Sequence, residues 1–185
     1  MRHLAQHDSR DNGADNLQYD NDFWRFSLAV YEQVEVAQEC LELQQALGID
    51  VNLLLFCAWL GARAIALSRA DIEAASRAVA AWHENVVRPI RGVRQRAKML
   101  NHDDFGSFRA RIKGIELEAE QIEQAILFAY SKRIQSPRAS VDCRDVVAHN
   151  VKDYIEMKSD EASGWTSEHS APRLIDAARR LISSF

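Results

Sequence analysis

Apolar positions recur along this chain at spacings of three and four, the period of a helix that buries one face. One stretch departs from that rule. From Gly48-Ile49-Asp50-Val51-Asn52 onward, Leu53, Leu54, Leu55, Phe56, Ala58, Trp59, Leu60, Ala62, Ile65 and Leu67 cover nearly every side. A helix apolar all round is either a central core helix or a membrane span. This run has about 15 residues against the roughly 20 that a bilayer needs, and Arg63 interrupts it. The pattern therefore predicts a buried central helix. Gly48 suits the left-handed position that ends the preceding helix, and Asp50 suits the N-cap of the central one.

The other elements take one-sided patterns. A first helix is predicted over Asp22 to Tyr31, strongly aromatic through Phe23, Trp24 and Phe26. Rings of this size usually build small helical cores, although Trp24 and Phe26 could also form a ligand platform. A second helix is predicted over Val34 to Leu47, and Glu35, Glu39 and Glu42, with Glu32 just ahead of it, fall within about 80° of one another on one helical face. That face reads as solvated or salt-bridged. Ser68, with Asp71 three residues on, forms a capping box for a helix running towards Val87. Pro89 then either kinks that helix or starts a new one. A turn is expected over Asn101 to Ser107. A long helix from Phe105 to Tyr130 shows a seam of Phe105, Phe108, Ile112, Ile115, Ala119, Ile122, Ile126 and Ala129, with Glu116, Glu118, Glu120 and Glu123 on other faces. After a linker at 131–140, further helices are predicted over Val141 to Lys158 and from Pro172, separated by a polar loop at Ser159 to Ala171.

Composition supports the same class. Only three prolines and seven glycines interrupt 185 residues, so the expected fold is all-α: a compact bundle around a buried central helix, with a C-terminal helical appendage. The expected division is a polar tail over 1–20, a core domain over 21–131, and a linker with C-terminal helices over 132–185. The tail holds four aspartates and no apolar targeting segment, which assigns the cytoplasm by default. Cys40, Cys57 and Cys143, odd in number and set in helical patterns, read as reduced thiols.

The net charge of −4 argues against a general nucleic-acid binder. Residues 84–113 nevertheless hold eight Lys/Arg against three Asp/Glu, an excess of five (8 − 3). Within them Arg88, Arg91, Arg94 and Lys98 share one helical side and form a candidate surface for a phosphate-bearing ligand, a nucleic acid or an acidic partner. The alternative is an internal pairing, for which the acidic face of the second helix is the expected partner. A helix-turn-helix reading of Leu67 to Trp82 lacks a recognition helix.

No phosphate-cradling loop, dinucleotide fingerprint, metalloprotease motif or paired-cysteine motif occurs. No Glu-x-x-His pair suggests a di-metal bundle site. The His102-Asp103-Asp104 stretch reads as turn chemistry, and His83 and His149 stand alone on helices. The sequence thus designates no catalytic residue, no metal ligand and no cofactor. If the chain is an enzyme, its site is expected near Asp50, Asn52, Trp82 and Arg91. Asp50 and Asn52 are the polar residues singled out at the start of the central helix.

Trp24-Arg25-Phe26-Ser27-Leu28, Cys40-Leu41-Glu42-Leu43-Gln44 and Gly48-Ile49-Asp50-Val51-Asn52-Leu53-Leu54-Leu55-Phe56 together resemble blocks of an uncharacterised proteobacterial family of small helical proteins. Val86-Val87-Arg88-Pro89-Ile90-Arg91 and Glu116-Leu117-Glu118-Ala119-Glu120 are similar to its later blocks. The resemblance spans about residues 22 to 130 and implies an all-helical domain without an assigned activity. Members often carry Pro-Gly after the tyrosine, where this chain has Gln33-Val34-Glu35, so the first two helices could run together. The resulting expectation is a non-catalytic helical protein acting through a protein partner or a homodimer, without membrane insertion. Phosphate or nucleic-acid binding through the basic side, or an unrecognised enzyme, are the alternatives.

Overall fold

A computed structural model describes residues 17–100, 105–135, 142–161 and 171–181. Residues 1–16 of the expected tail, 101–104 of the expected turn, 136–140 of the expected linker and 162–170 of the expected loop lie outside these residues. The described chain forms α1 (Asp22–Tyr31), α2 (Val34–Leu47), α3 (Val51–Ala62), α4 (Arg69–Trp82), a π-helical turn (His83–Val87), α5 (Arg88–Met99), α6 (Gly106–Ser131), α7 (Cys143–Glu161) and α8 (Pro172–Leu181). It is an all-α bundle, as the periodicity predicts. No helix among the described residues is long and apolar enough to cross a membrane.

The helix starts follow from local chemistry. The Asn21 side chain accepts the Trp24 N–H at 2.9 Å. Asp50 Oδ1 accepts the N–H groups of Asn52 and Leu53 at 2.9 and 3.4 Å. Ser68 and Asp71 complete the predicted capping box. Gly48, at φ 63°, ends α2 in the left-handed region that a side chain disfavours. Gln33 is extended, at φ −86° and ψ 110°, so α1 and α2 are separate helices.

Every residue of α3 from Val51 to Gly61 is buried. Phe23 and Phe56 meet edge to face with ring centroids 5.5 Å apart, and Trp59 packs beside both. On its other side α3 is covered chiefly by α7. The approach is close because Gly61 has no Cβ: one placed there would stand 2.5 Å from Val147 Cα. Asn150, fully buried on α7, then ties the end of α3 to the chain that follows. Its amide nitrogen donates to the carbonyls of Cys57 and Ile65, and its oxygen accepts the Leu67 N–H.

The C-terminal helices, expected as an appendage, are thus layered into the bundle, because α3 needs cover on more than one side. The acidic face of α2 contributes to this. Glu39 is nearly buried, and its two oxygens accept the N–H groups of Arg173 and Leu174 at the start of α8, at 3.2 and 2.8 Å. A carboxylate there also meets the positive end of the helix dipole.

Two features sharpen the expected pattern. Pro89 stands in the first turn of α5, one of its two expected placements, while the helical path continues through it. It has no N–H to offer and its ring crowds the preceding turn, and the helix widens just before it into a π turn in which Arg88 N–H reaches the His83 carbonyl. In α6, the expected seam is buried only in part. Phe108 and Ile115 are about half exposed, at 48% and 52%, whereas Ile112 and Ala119 of the seam face inward together with Glu116, Glu123 and Leu127. The helix turns two carboxylates into the protein because α5 and the π turn supply cationic and imidazole partners for them.

Candidate functional site

Three segments far apart in sequence bring Asp50, His83 and Glu123 together. Asp50 stands at the cap of α3, His83 opens the π turn, and Glu123 lies on the inward face of α6. His83 Nδ1 is 2.8 Å from Glu123 Oε1 and 3.3 Å from Asp50 Oδ2. Asn52 fixes the far side of the cluster, donating to Glu123 Oε2 at 2.6 Å. Gln124 in turn donates to Asn52 Oδ1 at 2.9 Å, which sets the orientation of the Asn52 amide. Tyr154 of α7 closes the floor: its hydroxyl accepts the Asp50 N–H at 3.1 Å and donates to the Asp50 carbonyl at 3.4 Å.

The electrostatics reflect this crowding. Burial pushes the Asp50 carboxyl well above the usual carboxylate range, the Glu123 charge adds to the rise, and His83 opposes it. For His83, burial acts downward, but the hydrogen bond to Glu123 and the charges of Asp50 and Glu123 outweigh it and leave the imidazole above its ordinary value. Burial likewise raises the Tyr154 hydroxyl, so it stays protonated as a donor.

Next to the cluster, α5 and α6 are joined by ion pairs. Arg91 Nε donates to Glu116 Oε1 at 3.2 Å, and its Nη2 to Glu120 Oε1 at 2.5 Å. Arg94 holds Glu116 through both Nε and Nη2. The basic side singled out in the sequence is therefore divided. Arg91 and Arg94 turn inward, Arg88 pairs with Glu84 one turn away, and Lys98 is exposed. The internal partner is the inward face of α6 and not the acidic face of α2. Trp82 donates its indole N–H to the Ala119 carbonyl at 2.9 Å and so fixes α4 against α6.

A cavity of about 450 Å³ opens between α1, α2, α3, α5 and α6. Trp24, Leu28, Tyr31, Leu41, Leu55 and Leu117 give it apolar walls, and Ser27, Asn52 and Gln124 polar ones. Trp24 lines this cavity, whereas Phe26 is core. Arg91, Arg94 and Lys113 face it alongside Glu116 and Glu120. Ser27 Oγ and Gln124 Oε1 are buried with no hydrogen-bond partner, although both residues line the cavity. Asn52 links the two parts of the site, since it lines the cavity and also holds Glu123.

Of the residues anticipated as a site, Asp50, Asn52, Trp82 and Arg91 gather in one region. His83 and Glu123 escape sequence reasoning. His83 has no spaced partner on its own helix, and Glu123 sits among four glutamates that look alike. The nearest signal is His83 six residues before Pro89, where the helix has to deform.

Fold and site together define a helical domain that holds a buried acid–imidazole cluster beside a cavity. The chain belongs to the family described as Protein of unknown function (DUF2390), whose model matches residues 22–127. The match includes Asp50, His83, Glu123 and every residue lining the cavity. No curated protein and no solved structure matches the chain.

Proposed function

We propose that this domain binds a small molecule with an apolar or aromatic body and a hydrogen-bonding end, held in the cavity between α1, α2, α3, α5 and α6. The observation that carries this reading is the cavity itself, about 450 Å³ between five helices, with apolar walls and the polar or charged residues Ser27, Asn52, Gln124, Arg91 and Arg94 in its lining. The volume falls within the range common for small-molecule sites, roughly 300–1,000 Å³. The lining has three cations against two carboxylates, a net charge of +1 (3 − 2), which favours a neutral or anionic ligand end.

An anilinonaphthalene sulfonate dye is a suitable probe, having an aromatic body and one anionic group. Binding with a fluorescence rise is expected for the native chain. Leu55→Trp, which fills the cavity from its apolar wall, is expected to abolish the rise. Equal dye binding by both chains at equal thermal stability would remove this reading.

A second reading, interaction with a protein partner or a second copy, draws on exposed apolar side chains along α5 and α6. Val93, Met99, Leu100, Phe108 and Ile115 are all more than two-fifths exposed. Light scattering would show a doubled mass that Ile115→Glu returns to the monomer. A monomeric mass at every concentration removes the homodimer.

A further inference from the structure

Asp50 and Glu123 each divide their oxygens between two tasks. Asp50 Oδ1 caps α3, and Glu123 Oε2 accepts from Asn52. The remaining oxygens, Asp50 Oδ2 and Glu123 Oε1, converge on the same atom, His83 Nδ1. A ring nitrogen carries at most one hydrogen, so two carboxylate oxygens compete for one donor. Among the described residues no lysine or arginine forms an ion pair with either carboxylate: Arg91, whose charge acts on His83, is engaged by Glu116 and Glu120. Two buried carboxylates facing one imidazole call for additional positive charge.

We propose that Asp50, His83 and Glu123 bind one divalent transition-metal ion through Asp50 Oδ2, His83 Nδ1 and Glu123 Oε1. The three donor atoms lie within 4.8 Å of one another. Metal–ligand bonds of about 2.0–2.2 Å set neighbouring donors roughly 3.0–3.5 Å apart, close to the 2.8 and 3.3 Å measured from His83 Nδ1. Two carboxylates balance a 2+ ion while the imidazole binds in its neutral form.

The supports behind the ligands also suit a metal. Asn52 clamps the non-ligating oxygen of Glu123, the backbone of Asn52 and Leu53 clamps that of Asp50, and Gln124 holds the Asn52 amide. Outer hydrogen bonds of this kind orient ligating side chains. His83 begins the π turn, a deviation that recurs at functional sites because it re-aims one side chain within a helix.

One imidazole with two carboxylates selects Zn²⁺, Fe²⁺ or Mn²⁺ over Mg²⁺ and Ca²⁺, which take oxygen donors almost exclusively. Three protein donors are fewer than these ions take, so water or an oxygen of a bound molecule completes the sphere. The proposal does not rest on the cavity reading: dye binding tests the cavity with no metal added, and the titration below uses metal alone.

The test is a calorimetric titration of the chelator-stripped full chain with Zn²⁺, then with Mn²⁺, and with Mg²⁺ as the contrasting ion. One Zn²⁺ or Mn²⁺ per chain is expected at micromolar affinity or better, with a Tm that rises with ion concentration, and much weaker Mg²⁺ binding. Asp50→Asn keeps an N-cap, since asparagine caps as well as aspartate, and Glu123→Gln keeps an acceptor for Asn52. Each is expected to weaken binding on the order of 100-fold. Wild-type affinity in both variants, Mg²⁺ binding as tight as Zn²⁺, or no bound ion would overturn the proposal. Should a variant fail to fold, Mn²⁺ added to the native chain decides through NMR line broadening. Broadening of the His83 ring and Asn52 amide signals supports the site, and broadening confined to other residues refutes it.

Discussion

Gly61 of α3 and Val147 of α7 touch backbone to backbone: a Cβ on Gly61 would come within 2.5 Å of Val147 Cα. Neither backbone can yield without separating α3 from the helix that chiefly covers it. Gly61→Ala is therefore expected to cost about 1–3 kcal/mol of overpacking, against a gain of ~1 kcal/mol in helix propensity. Gly114, in the exposed middle of α6, has nothing within 4 Å of its virtual Cβ. Gly114→Ala is expected to stabilise by about 0.5–1 kcal/mol. Urea unfolding of both variants reads the contrast, and a shift of the same sign in both would contradict the packing described.

Asn150 satisfies two carbonyls and one N–H in a place without solvent. Asn150→Leu keeps the volume and removes every one of those bonds. A loss on the order of 3 kcal/mol is expected, which for a chain of this size lowers Tm by roughly 6–12 °C. Differential scanning calorimetry checks it; a drop of a degree or two would mean that the carbonyls find other donors.

Arg91 and Arg88 are neighbours in sequence with opposite prospects. Arg91 is 13% exposed and serves two glutamates, while Arg88 is 61% exposed and pairs only with Glu84. Arg91→Glu sets a third carboxylate beside Glu116 and Glu120 and is expected to cost about 3–5 kcal/mol. Arg88→Glu is expected to cost less than about 1 kcal/mol. Equal Tm shifts in the two variants would count against an internal role for Arg91.

Glu39 caps a helix that begins more than 130 residues later. Glu39→Ala is expected to cost about 1–2 kcal/mol, felt mainly as looser docking of α8. Hydrogen exchange should show faster amides at Arg173 and Leu174 while those of α3 stay protected. Unchanged exchange in α8 would show that apolar packing alone holds it.

The parts of this fold that could be read from the sequence are those decided within a few residues. Gly48, Asp50 and the Ser68–Asp71 box mark helix ends through hydrogen bonds that local spacing allows, and the apolar wrap of Leu53 to Leu60 needs no knowledge of what covers it. The rotation of α6 could not be read in the same way. Its Ile and Phe seam and its line of Glu116 and Glu123 are rival inward faces, and the choice falls to Arg91, Arg94 and His83 on other elements. The same holds for the acid–imidazole cluster. Asp50 and Asn52 were conspicuous beside an apolar helix, but Glu123 gains its significance only when α6 is laid against the π turn. Glu39 reads as a solvated residue in the sequence because its partner, the first turn of α8, lies at the far end of the chain.

The dependence of α3 on α7 also has a consequence for biosynthesis. The Cys57 carbonyl waits for the Asn150 amide, which is translated 93 residues later. At roughly 5–20 residues per second, the most apolar helix of the protein emerges on the order of 5–20 s before its main cover. The family-matched portion ends at residue 127, short of that cover. A nascent chain stopped there would leave α3 without the cover that α7 gives it in the folded protein.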